Sequence, residues 1–484
     1  MNNMLILKSR KHRSWWLSAL LILLLYSCVP TKEIRKANAS LPNNFQNEVV
    51  KDSINSAAMN WKQFFADPNL QALIDTALVN NQEFNIAMQQ VAMARNEIRA
   101  RKGEYLPFVN LQAGAELEKV GRYTSQGAND ANTDIKPEVE FPEPLPNYKA
   151  GLFASWELDV WKKLRNSKKA AVMEYLSSVE GNHFMVTNLI SEIADSYYEL
   201  LALDNKLTII QQNLKLQGNA LKTVRLQKLA ARATELGVKR FEAEVLKNRS
   251  EMYTVKQEIT ETENKINFLI GGTPKHIERS ADDFIDQKID TLYTGVPSQL
   301  LKNRPDIRRA EFELAAAKLD TKAAKANFYP SFDIHAGVGL EAFKPKFLTS
   351  TPESLLYSVV GDVVAPLINR NALKAEYGNA NARQLQAVFD YEKAILNAYI
   401  EVVNQLSNID NLKHSYDLKE QQVAALTESI GITNRLFRSA RADYMEVLLT
   451  QRDALESKME LVETRKDQLL ARVSMYRDLG GGWQ

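Results

Sequence analysis

Residue types that carry most enzyme and metal chemistry are few and scattered in this 484-residue chain. A single cysteine excludes an intrachain disulfide and any multi-cysteine metal or redox site. The five histidines lie far apart in the sequence: His12, His183, His276, His335 and His414. The chain has no His-Glu-x-x-His helix, no phosphate loop ending in Gly-Lys-Ser/Thr and no nucleophile elbow. We therefore expect no catalytic residue, no cofactor and no metal site, and a protein that is not an enzyme.

The one cysteine, Cys28, follows a short apolar segment at residues 17–25, which a basic segment at residues 8–13 precedes. The apolar segment is too short to span a bilayer, which needs about 20 apolar residues. Leu25-Tyr26-Ser27-Cys28 resembles the bacterial lipobox, in which the cysteine is lipidated and becomes the mature N-terminus. We predict that residues 1–27 are a lipoprotein signal peptide and that Cys28 carries acyl chains such as palmitate. A plain signal peptide with a chance cysteine and a short inner-membrane anchor are the alternatives.

Composition argues for a folded, helix-rich chain without a nucleic-acid partner. Lys and Arg number 61 and Asp and Glu 59, so the formal charge is +2, and no long tail or patch concentrates either sign. That balance argues against nucleic-acid binding. Hydrophobic residues make up 45% of the chain, enough for a large core, and Gly and Pro are few. Long helices are the expected consequence.

Beyond the signal segment, the chain is a tandem repeat. Residues 80–118 align without gaps on residues 303–341, and Ala231-Arg232-Ala233 aligns on Ala440-Arg441-Ala442. Each copy has the order helix, strand, loop, strand, very long helix, turn, long helix, and the first copy has a longer polar loop. The predicted repeats are 28–272, with strands at about 107–119 and 147–158 and a hairpin turning near 231, and 273–484, with strands at about 330–341 and 356–367 and a hairpin turning near 440.

The predicted strands alternate between apolar and polar residues, as strands with one apolar face do. In the first strand apolar residues from Val109 to Leu117 alternate with polar residues or glycine from Asn110 to Glu118. Each strand has about 11 residues, enough to cross a bilayer at a tilt. Strands in hydrocarbon need a closed barrel, and four cannot close because single-chain membrane barrels begin at about 8. If the strands are in a membrane, several chains must complete the barrel; the alternative is a soluble sandwich.

The predicted helices are longer than a compact domain needs. No proline interrupts residues 159–230, and leucine or isoleucine recurs at steps of three and four from Leu200 to Leu214, as in a coiled-coil seam. About 70 helical residues span roughly 105 Å. Strand pairs joined to two such hairpins indicate a barrel that is continued by a helical tube. A soluble periplasmic coiled-coil scaffold lipoprotein is the alternative.

Four segments carry a resemblance to a known family: Leu300–Ile307, Ala326–Ser331, Ser155–Asp159 and Leu479–Trp483. In these segments, and in its organisation over nearly the whole mature chain, the sequence resembles the TolC-like outer-membrane efflux channels, in particular the lipoprotein branch that serves resistance-nodulation-division (RND) pumps. The resemblance implies an α+β membrane protein, a homotrimer in which twelve strands form an outer-membrane β-barrel and twelve helices form a periplasmic α-barrel.

The resemblance also implies a function and partners. The trimer is expected to conduct substrates passively from an inner-membrane RND-type pump and a periplasmic adaptor protein to the exterior. It is expected in the outer membrane, anchored by lipid, with most of its mass in the periplasm. Substrate selection is expected in the pump. A type I secretion outlet, which exports polypeptides through the same fold, is an alternative.

Gate residues follow from the resemblance at the second hairpin. In the family two acids flank Val-Leu after this turn and line the constriction that closes the tube. Here Glu446 matches the first acid, Leu449 replaces the second, and Asp443 precedes them as a further candidate. Three copies of one acid on an axis form a negative ring that favours cations. The alternative is that Glu446 is an ordinary exposed helix residue.

The hairpin turns are the predicted docking site for the adaptor. Ala231 and Ala440 occupy the positions of the family's tip glycines, and Arg232 and Arg441 recur beside them. Gly237 stands where an acid is common. Solvated helix ends have the same composition, so a purely structural role for these residues is the alternative.

Overall fold

The computed structural model describes residues 35–45, 55–281, 284–288, 292–439 and 441–483; the predicted lipidation site Cys28 and the tip residue Ala440 lie outside them. The main helices are α1 (Pro68–Asn80), α2 (Gln82–Glu104), α3 (Lys163–Leu229), α4 (Glu235–Leu269), α5 (Pro305–Ala326), α6 (Asn371–Arg438) and α7 (Tyr444–Asp478). The main strands are β1 (Phe108–Glu118), β2 (Leu145–Glu157), β3 (Ser331–Ala342) and β4 (Leu355–Val364). Among the described residues, each helix is either too short or too polar to be a membrane span.

Side-chain caps set the starts of several helices. Asp67 accepts a hydrogen bond from the backbone N–H of Asn69 at 2.8 Å, and Pro68 occupies the first position of α1. The buried carboxylate of Asp159 accepts from the backbone N–H groups of Leu164 at 3.0 Å and Arg165 at 2.9 Å, at the start of α3. These caps satisfy N–H groups that have no partner within the helix. They explain why Asp159, which ends the Ser155–Asp159 segment, is needed where strand β2 gives way to helix.

The four main strands form one antiparallel sheet in the order β1-β2-β3-β4. The central pair joins the two sequence repeats, with Leu152 of β2 opposite Val338 of β3. The outer pairs are hairpins within each repeat. Among the described residues neither β1 nor β4 has a strand partner on its outer edge. Both edges therefore present backbone N–H and C=O groups that another strand could pair with.

The strand register brings apolar residues from all four strands together on one face. Leu111, Leu152, Val338 and Tyr357 form one row across the sheet. These side chains are 78%, 50%, 52% and 77% exposed. Neighbouring rows are also apolar: Val109, Ala154, Ala336 and Val359; Ala113, Ala150, Leu340 and Leu355. The sheet therefore carries a continuous exposed apolar face, which soluble monomers rarely present.

The opposite face of the sheet carries most of the polar residues and glycines of the strands, together with a few apolar side chains such as Phe153 and Leu356. Its rows include Gln112, Gly151 and Gly339, and the three acids Glu157, Asp333 and Asp362. His335 Nε2 lies 3.9 Å from the Asp362 carboxylate on this face. The alternation expected from the sequence is thus present as two chemically different faces.

The connection between β1 and β2 has secondary structure of its own, although the sequence predicts only a polar loop. It contains a short helix, Ser125–Asp130, and two short paired strands, Asp134–Lys136 and Val139–Glu140. Thr124 caps the helix by accepting a hydrogen bond from the Gly127 N–H at 3.1 Å. Such local caps and turns order polar segments without an apolar core, which is why hydrophobic patterns do not reveal them.

The chain divides into two compact units that differ from the two sequence repeats. The described residues of 93–176 and 312–389, with residues 35 and 36, form one unit. The described residues of 37–92, 177–311 and 390–484 form the other. Each unit draws on both repeats. For the first unit the reason is the shared sheet, since strands from both repeats pair at β2 and β3.

The second unit has a large apolar core. Its largest fully buried side chains include Tyr197, Tyr476, Leu70, Ile74 and Ile193. The hydroxyl of Tyr197 donates to Asp67 at 2.7 Å. The ring of Tyr476 stacks on Phe64 with centroids 4.0 Å apart. The core therefore holds its buried tyrosines through the packing of their rings and through hydrogen bonds of their hydroxyl groups.

Two of the resembling segments meet in this unit. The buried guanidinium of Arg304 pairs with Asp306 at 2.7 Å and Glu401 at 2.6 Å and donates to the backbone C=O of Asp478 at 3.0 Å. Trp483 donates from Nε1 to the C=O of Asn303 at 3.1 Å. Burial disfavours the charge of Arg304, but its hydrogen bonds to the two acids outweigh burial and raise its pKa. Arg304 thus holds the C-terminal segment in place.

Candidate functional site

Each long hairpin ends in a tight turn. At the first turn, between α3 and α4, Ala231 has a φ of 51°, in the left-handed region that favours glycine. The backbone N–H of Arg232 donates to the C=O of Gln227 at 2.8 Å, and Thr234 caps α4 by accepting from the Gly237 N–H at 3.2 Å. At the second turn the N–H of Arg441 donates to the C=O of Leu436 at 2.9 Å.

The structure packs the two hairpin ends against each other. Val224, Val238 and Phe241 of the first hairpin and Val447 of the second form one buried apolar cluster. A side chain at Gly237 would meet the ring of Tyr444, because an added Cβ would lie 3.3 Å from it. We define the two turns with this cluster as the tip pair.

Further contacts tie the tip pair together. Arg240 Nη1 lies 3.3 Å from Met445 Sδ, so a cation of the first hairpin contacts the start of α7. The sequence pattern did not predict the contacts that Arg240, Phe241 and Tyr444 make between the hairpins. The only sequence signal was Gly237, a small residue where the family favours an acid, and the reason for it is visible only once Tyr444 packs there.

Charged residues of the first hairpin are paired close to its turn. Lys228 and Glu235 form an ion pair across the turn, and Glu242 is 3.0 Å from Lys239 and 3.6 Å from Arg225. The hydrogen bond from Lys228 lowers the pKa of Glu235, and that from Lys239 lowers the pKa of Glu242. Glu235 is exposed and Glu242 is partly exposed, so these pairs are worth little for stability.

The gate candidates lie at the start of α7. Glu446 is in its first turn, exposed, and forms no ion pair with any described residue. Asp443 is at the N-cap position, but its side chain makes no capping hydrogen bond. Leu449 is 39% exposed. The side chains of Asp443 and Glu446 are thus left available for a partner outside this chain.

The docking candidates lie on the outside of the turns. Ala231, Arg232 and Arg441 are exposed, and Ala440 is outside the described residues. The first turn also has exposed leucines that the sequence analysis missed, among them Leu229, which is 83% exposed. Exposed leucines outside the packed face of a helix indicate a contact with another molecule. The packed face is known only from the folded hairpins, so the sequence did not mark these leucines.

A charged groove of about 680 Å³ lies in the unit that contains the sheet. Its lining includes Arg101, Glu104, Glu174, Asp320 and Arg383. Burial raises the pKa of Asp320, and burial with the nearby Asp320 charge raises the pKa of Glu174. Within the part of the chain that the structure describes, no three His, Cys, Asp or Glu side chains are placed to hold a metal ion.

Comparison with known families assigns most of the chain. The profile described as outer membrane efflux protein matches residues 73–272 and 296–481. Among curated proteins, the pyoverdine export outer membrane protein OpmQ of Pseudomonas aeruginosa is 28% identical over 96% of this chain and 95% of its own length. The cation efflux system protein CusC of Escherichia coli is 26% identical over 96% of this chain and 97% of its own. The probable outer membrane lipoprotein SilC of Salmonella typhimurium is 25% identical over 96% and 98%.

Solved structures share the fold. A crystal structure of CusC, studied for folding and transmembrane channel formation, superposes with a TM-score of 0.80 at 24% identity, covering 94% of this chain and all of that one. The open state of the MtrE outer membrane channel of Neisseria gonorrhoeae superposes with a TM-score of 0.82 at 23% identity, covering 94% and 99%. Both similarities extend over helices and strands alike.

Proposed function

We propose, on the premise that this chain belongs to the outer membrane efflux protein family, that three copies form the outer-membrane channel of a tripartite efflux system. The channel conducts passively, and the energy comes from an inner-membrane RND-type pump that a periplasmic adaptor protein connects to it. OpmQ and CusC serve export and efflux systems, and this chain is similar to both along nearly its whole length.

The observation that carries this proposal is the four-stranded sheet with one exposed apolar face and two open edges. An apolar face of this size suits lipid, but open edges do not, because unpaired backbone groups are costly in hydrocarbon. Pairing β4 of one copy with β1 of the next removes both edges. The alternating directions of four strands per chain keep that junction antiparallel for any number of copies, and in the trimer that the family resemblance implies, twelve strands would close the barrel.

The helices extend the same arrangement. The four long helices α3, α4, α6 and α7 form two hairpins per chain. In a trimer these helices would number twelve, as in the periplasmic α-barrel that the family resemblance implies. The sequence repeats, 28–272 and 273–484, would then contribute six similar hairpins to one ring.

In this assembly we expect the predicted sites to have the following roles. The tip pair would dock the adaptor through Ala231, Arg232, Ala440 and Arg441. Glu446, with Asp443 and Leu449, would form the periplasmic gate. Residues 1–27 would be removed as a signal peptide, and a lipidated Cys28 would anchor the chain in the outer membrane; the similarity to the lipoprotein SilC supports this.

Relatives differ in what they export, since their names specify pyoverdine and cations. The substrate therefore depends on the pump. A type I secretion outlet is the second candidate function. Crosslinking the turns near Ala231 to a bound adaptor and identifying that adaptor distinguishes the two functions.

Cysteine pairs at the sheet edges test the closed barrel. Gln112→Cys on β1 is combined in turn with Leu356→Cys, Ser358→Cys or Val360→Cys on β4, which all lie on the polar face. We expect at least one pair to form disulfides between chains, so that dimers and trimers run on non-reducing denaturing gels.

The matched control combines Gln112→Cys with His335→Cys, at an exposed position on the same face of the central strand β3, which no closed barrel brings next to β1 of another copy. It should not crosslink. The closed trimer is excluded if no edge pair crosslinks, or if the chain is monomeric in buffer without detergent.

A further inference from the structure

We propose that a cluster of lysines and phenylalanines at the loop end of the sheet binds the phosphate groups of lipid A in the outer leaflet of the outer membrane. The proposal rests on the proposed function, in which the sheet crosses that membrane. The Lys–Phe cluster consists of Lys136, Phe343, Lys344, Lys346 and Phe347.

Two aromatic rings form the base of the cluster. The rings of Phe343 and Phe347 pack with centroids 5.1 Å apart and planes tilted by 35°. Both residues are half-buried. Lys346 Nζ lies 5.0 Å from the Phe347 ring centroid, and Lys344 Nζ lies 5.6 Å from that of Phe343. The faces of aromatic rings carry partial negative charge and attract such ammonium groups.

The third lysine comes from the other loop. Lys136, in the short strand Asp134–Lys136 between β1 and β2, places its Nζ 5.0 Å from the Phe347 centroid. The aromatic pair thus gathers three exposed ammonium groups from two loops that are distant in sequence. Cations brought together in this way repel one another, and the two neutral rings offset only part of that repulsion.

The three lysines lack acidic partners. Among the described residues, no carboxylate lies within ion-pair distance of Lys136, Lys344 or Lys346. By contrast, two other cations of the same loop region are paired, because Glu143 is 3.5 Å from Lys119 and 3.0 Å from Arg122. Three positive charges around one aromatic pair, none of them in an ion pair, complement an anion with more than one charge, and ammonium groups bind phosphate as point charges.

The position of the cluster favours a lipid as the source of the phosphate. Ala342, the last residue of β3, lies on the apolar face in a row with Ala115 and Tyr148, and Phe343 directly follows it. The cluster therefore adjoins the border between the apolar face and the polar loops. Aromatic rings and lysines at such a border lie at headgroup depth in a membrane. A phosphorylated lipid would cover the apolar face with its acyl chains and reach the lysines with its headgroup.

Lipid binding by the purified full-length trimer tests the proposal. Native mass spectrometry in detergent counts lipid A molecules retained during a titration. The test variant is Lys136→Gln with Lys344→Gln and Lys346→Gln, and the control variant is Lys119→Gln with Arg122→Gln, which removes two paired cations of the same loop. We expect the test variant to bind lipid A at least about tenfold more weakly than the parent. The control variant should bind it as the parent does.

A charge-preserving variant separates binding from folding. Replacing the same three lysines by arginine should keep lipid A binding, because the positive charges remain. Equal binding by the parent and the glutamine variant overturns the proposal, as does competition by millimolar inorganic phosphate, which would indicate a free-anion site. A trimeric parent with either result leaves the channel function standing, whereas a parent that is not trimeric refutes the channel function itself.

Discussion

Buried charged groups in the helical unit differ in how completely they are paired. Arg304 is surrounded by Asp306, Glu401 and a backbone carbonyl. Asp195, in α3, is incompletely hydrogen-bonded, because its buried Oδ1 has no hydrogen-bond partner. Burial raises the pKa of Asp195 to about 6, although Arg477 and Lys265 act against this. Unpaired buried groups of this kind cost stability, and the cost depends on pH.

Asp195→Asn should stabilise the protein at neutral pH and not in acid. The unfolded chain releases the Asp195 proton near pH 4, whereas the folded chain keeps it up to about pH 6. The folded state therefore binds more protons in this window, and the stability that the group contributes falls as the pH rises through it. The amide avoids the penalty, which is at most about 3 kcal/mol above pH 6.

The apparent melting temperatures of the parent and of Asp195→Asn in detergent, at pH 4 and pH 7.5, measure this pH-dependent stabilisation. Glu258→Gln, which changes an exposed acid of α4 that forms no ion pair among the described residues, is the control and should differ from the parent by less than about 0.5 kcal/mol at both pH values. A stabilisation by Asp195→Asn that is equal at both pH values would contradict the titration of Asp195.

At the scale of the elements, the first hairpin turn has a residue type that does not suit its backbone conformation. The turn between α3 and α4 requires a left-handed residue, and Ala231 occupies that position with a φ of 51°. Alanine pays a steric cost there that glycine does not. The left-handed backbone would favour the glycine that the family resemblance implies for this position, and the alanine of this chain stores a small strain in the turn.

Ala231→Gly should stabilise the hairpin by about 0.5–1 kcal/mol, because relief of the left-handed strain exceeds the entropy that glycine gains in the unfolded chain. The neighbouring change Ala233→Gly is the control, because Ala233 is not in the left-handed region. This variant should be less stable than the parent by about 0.5–1 kcal/mol, since glycine adds only entropy to the unfolded chain. Thermal unfolding of the two variants beside the parent measures both effects. If both variants lose stability, Ala231 is not strained.

At the scale of the whole molecule, the proposed gate requires an assembly of several chains. One chain has one Glu446, exposed and without an ion pair among the described residues. In a trimer, three copies would converge on one axis and need cations of neighbouring hairpins to stay together. The missing second acid, replaced by the partly exposed Leu449, leaves Glu446 as the main charge of that ring.

Glu446→Ala should therefore raise the ion conductance of the purified channel in a planar bilayer, because the contacts that hold the hairpins closed are lost. Glu456→Ala changes an exposed acid of the same helix further from the turn and should leave conductance unchanged. Equal conductance of the parent and Glu446→Ala would remove Glu446 from the gate.

The sequence alone predicted the family, the long helices and the alternation of the strands. These features depend on local periodicity and on motifs, which any one segment carries by itself. The repeat alignment also matched the two turns, because Ala231-Arg232-Ala233 recurs as Ala440-Arg441-Ala442.

Only the tertiary structure decided what depends on two distant segments meeting. It set the register that puts Leu111, Leu152, Val338 and Tyr357 in one row, the contact of Gly237 with Tyr444, and the gathering of Lys136 with Lys344 and Lys346. A one-residue slip in pairing would move every side chain of a strand to the other face, and nothing in a single strand's pattern specifies its partner. Local patterns determine which elements form, whereas packing between them determines which side chains share a site.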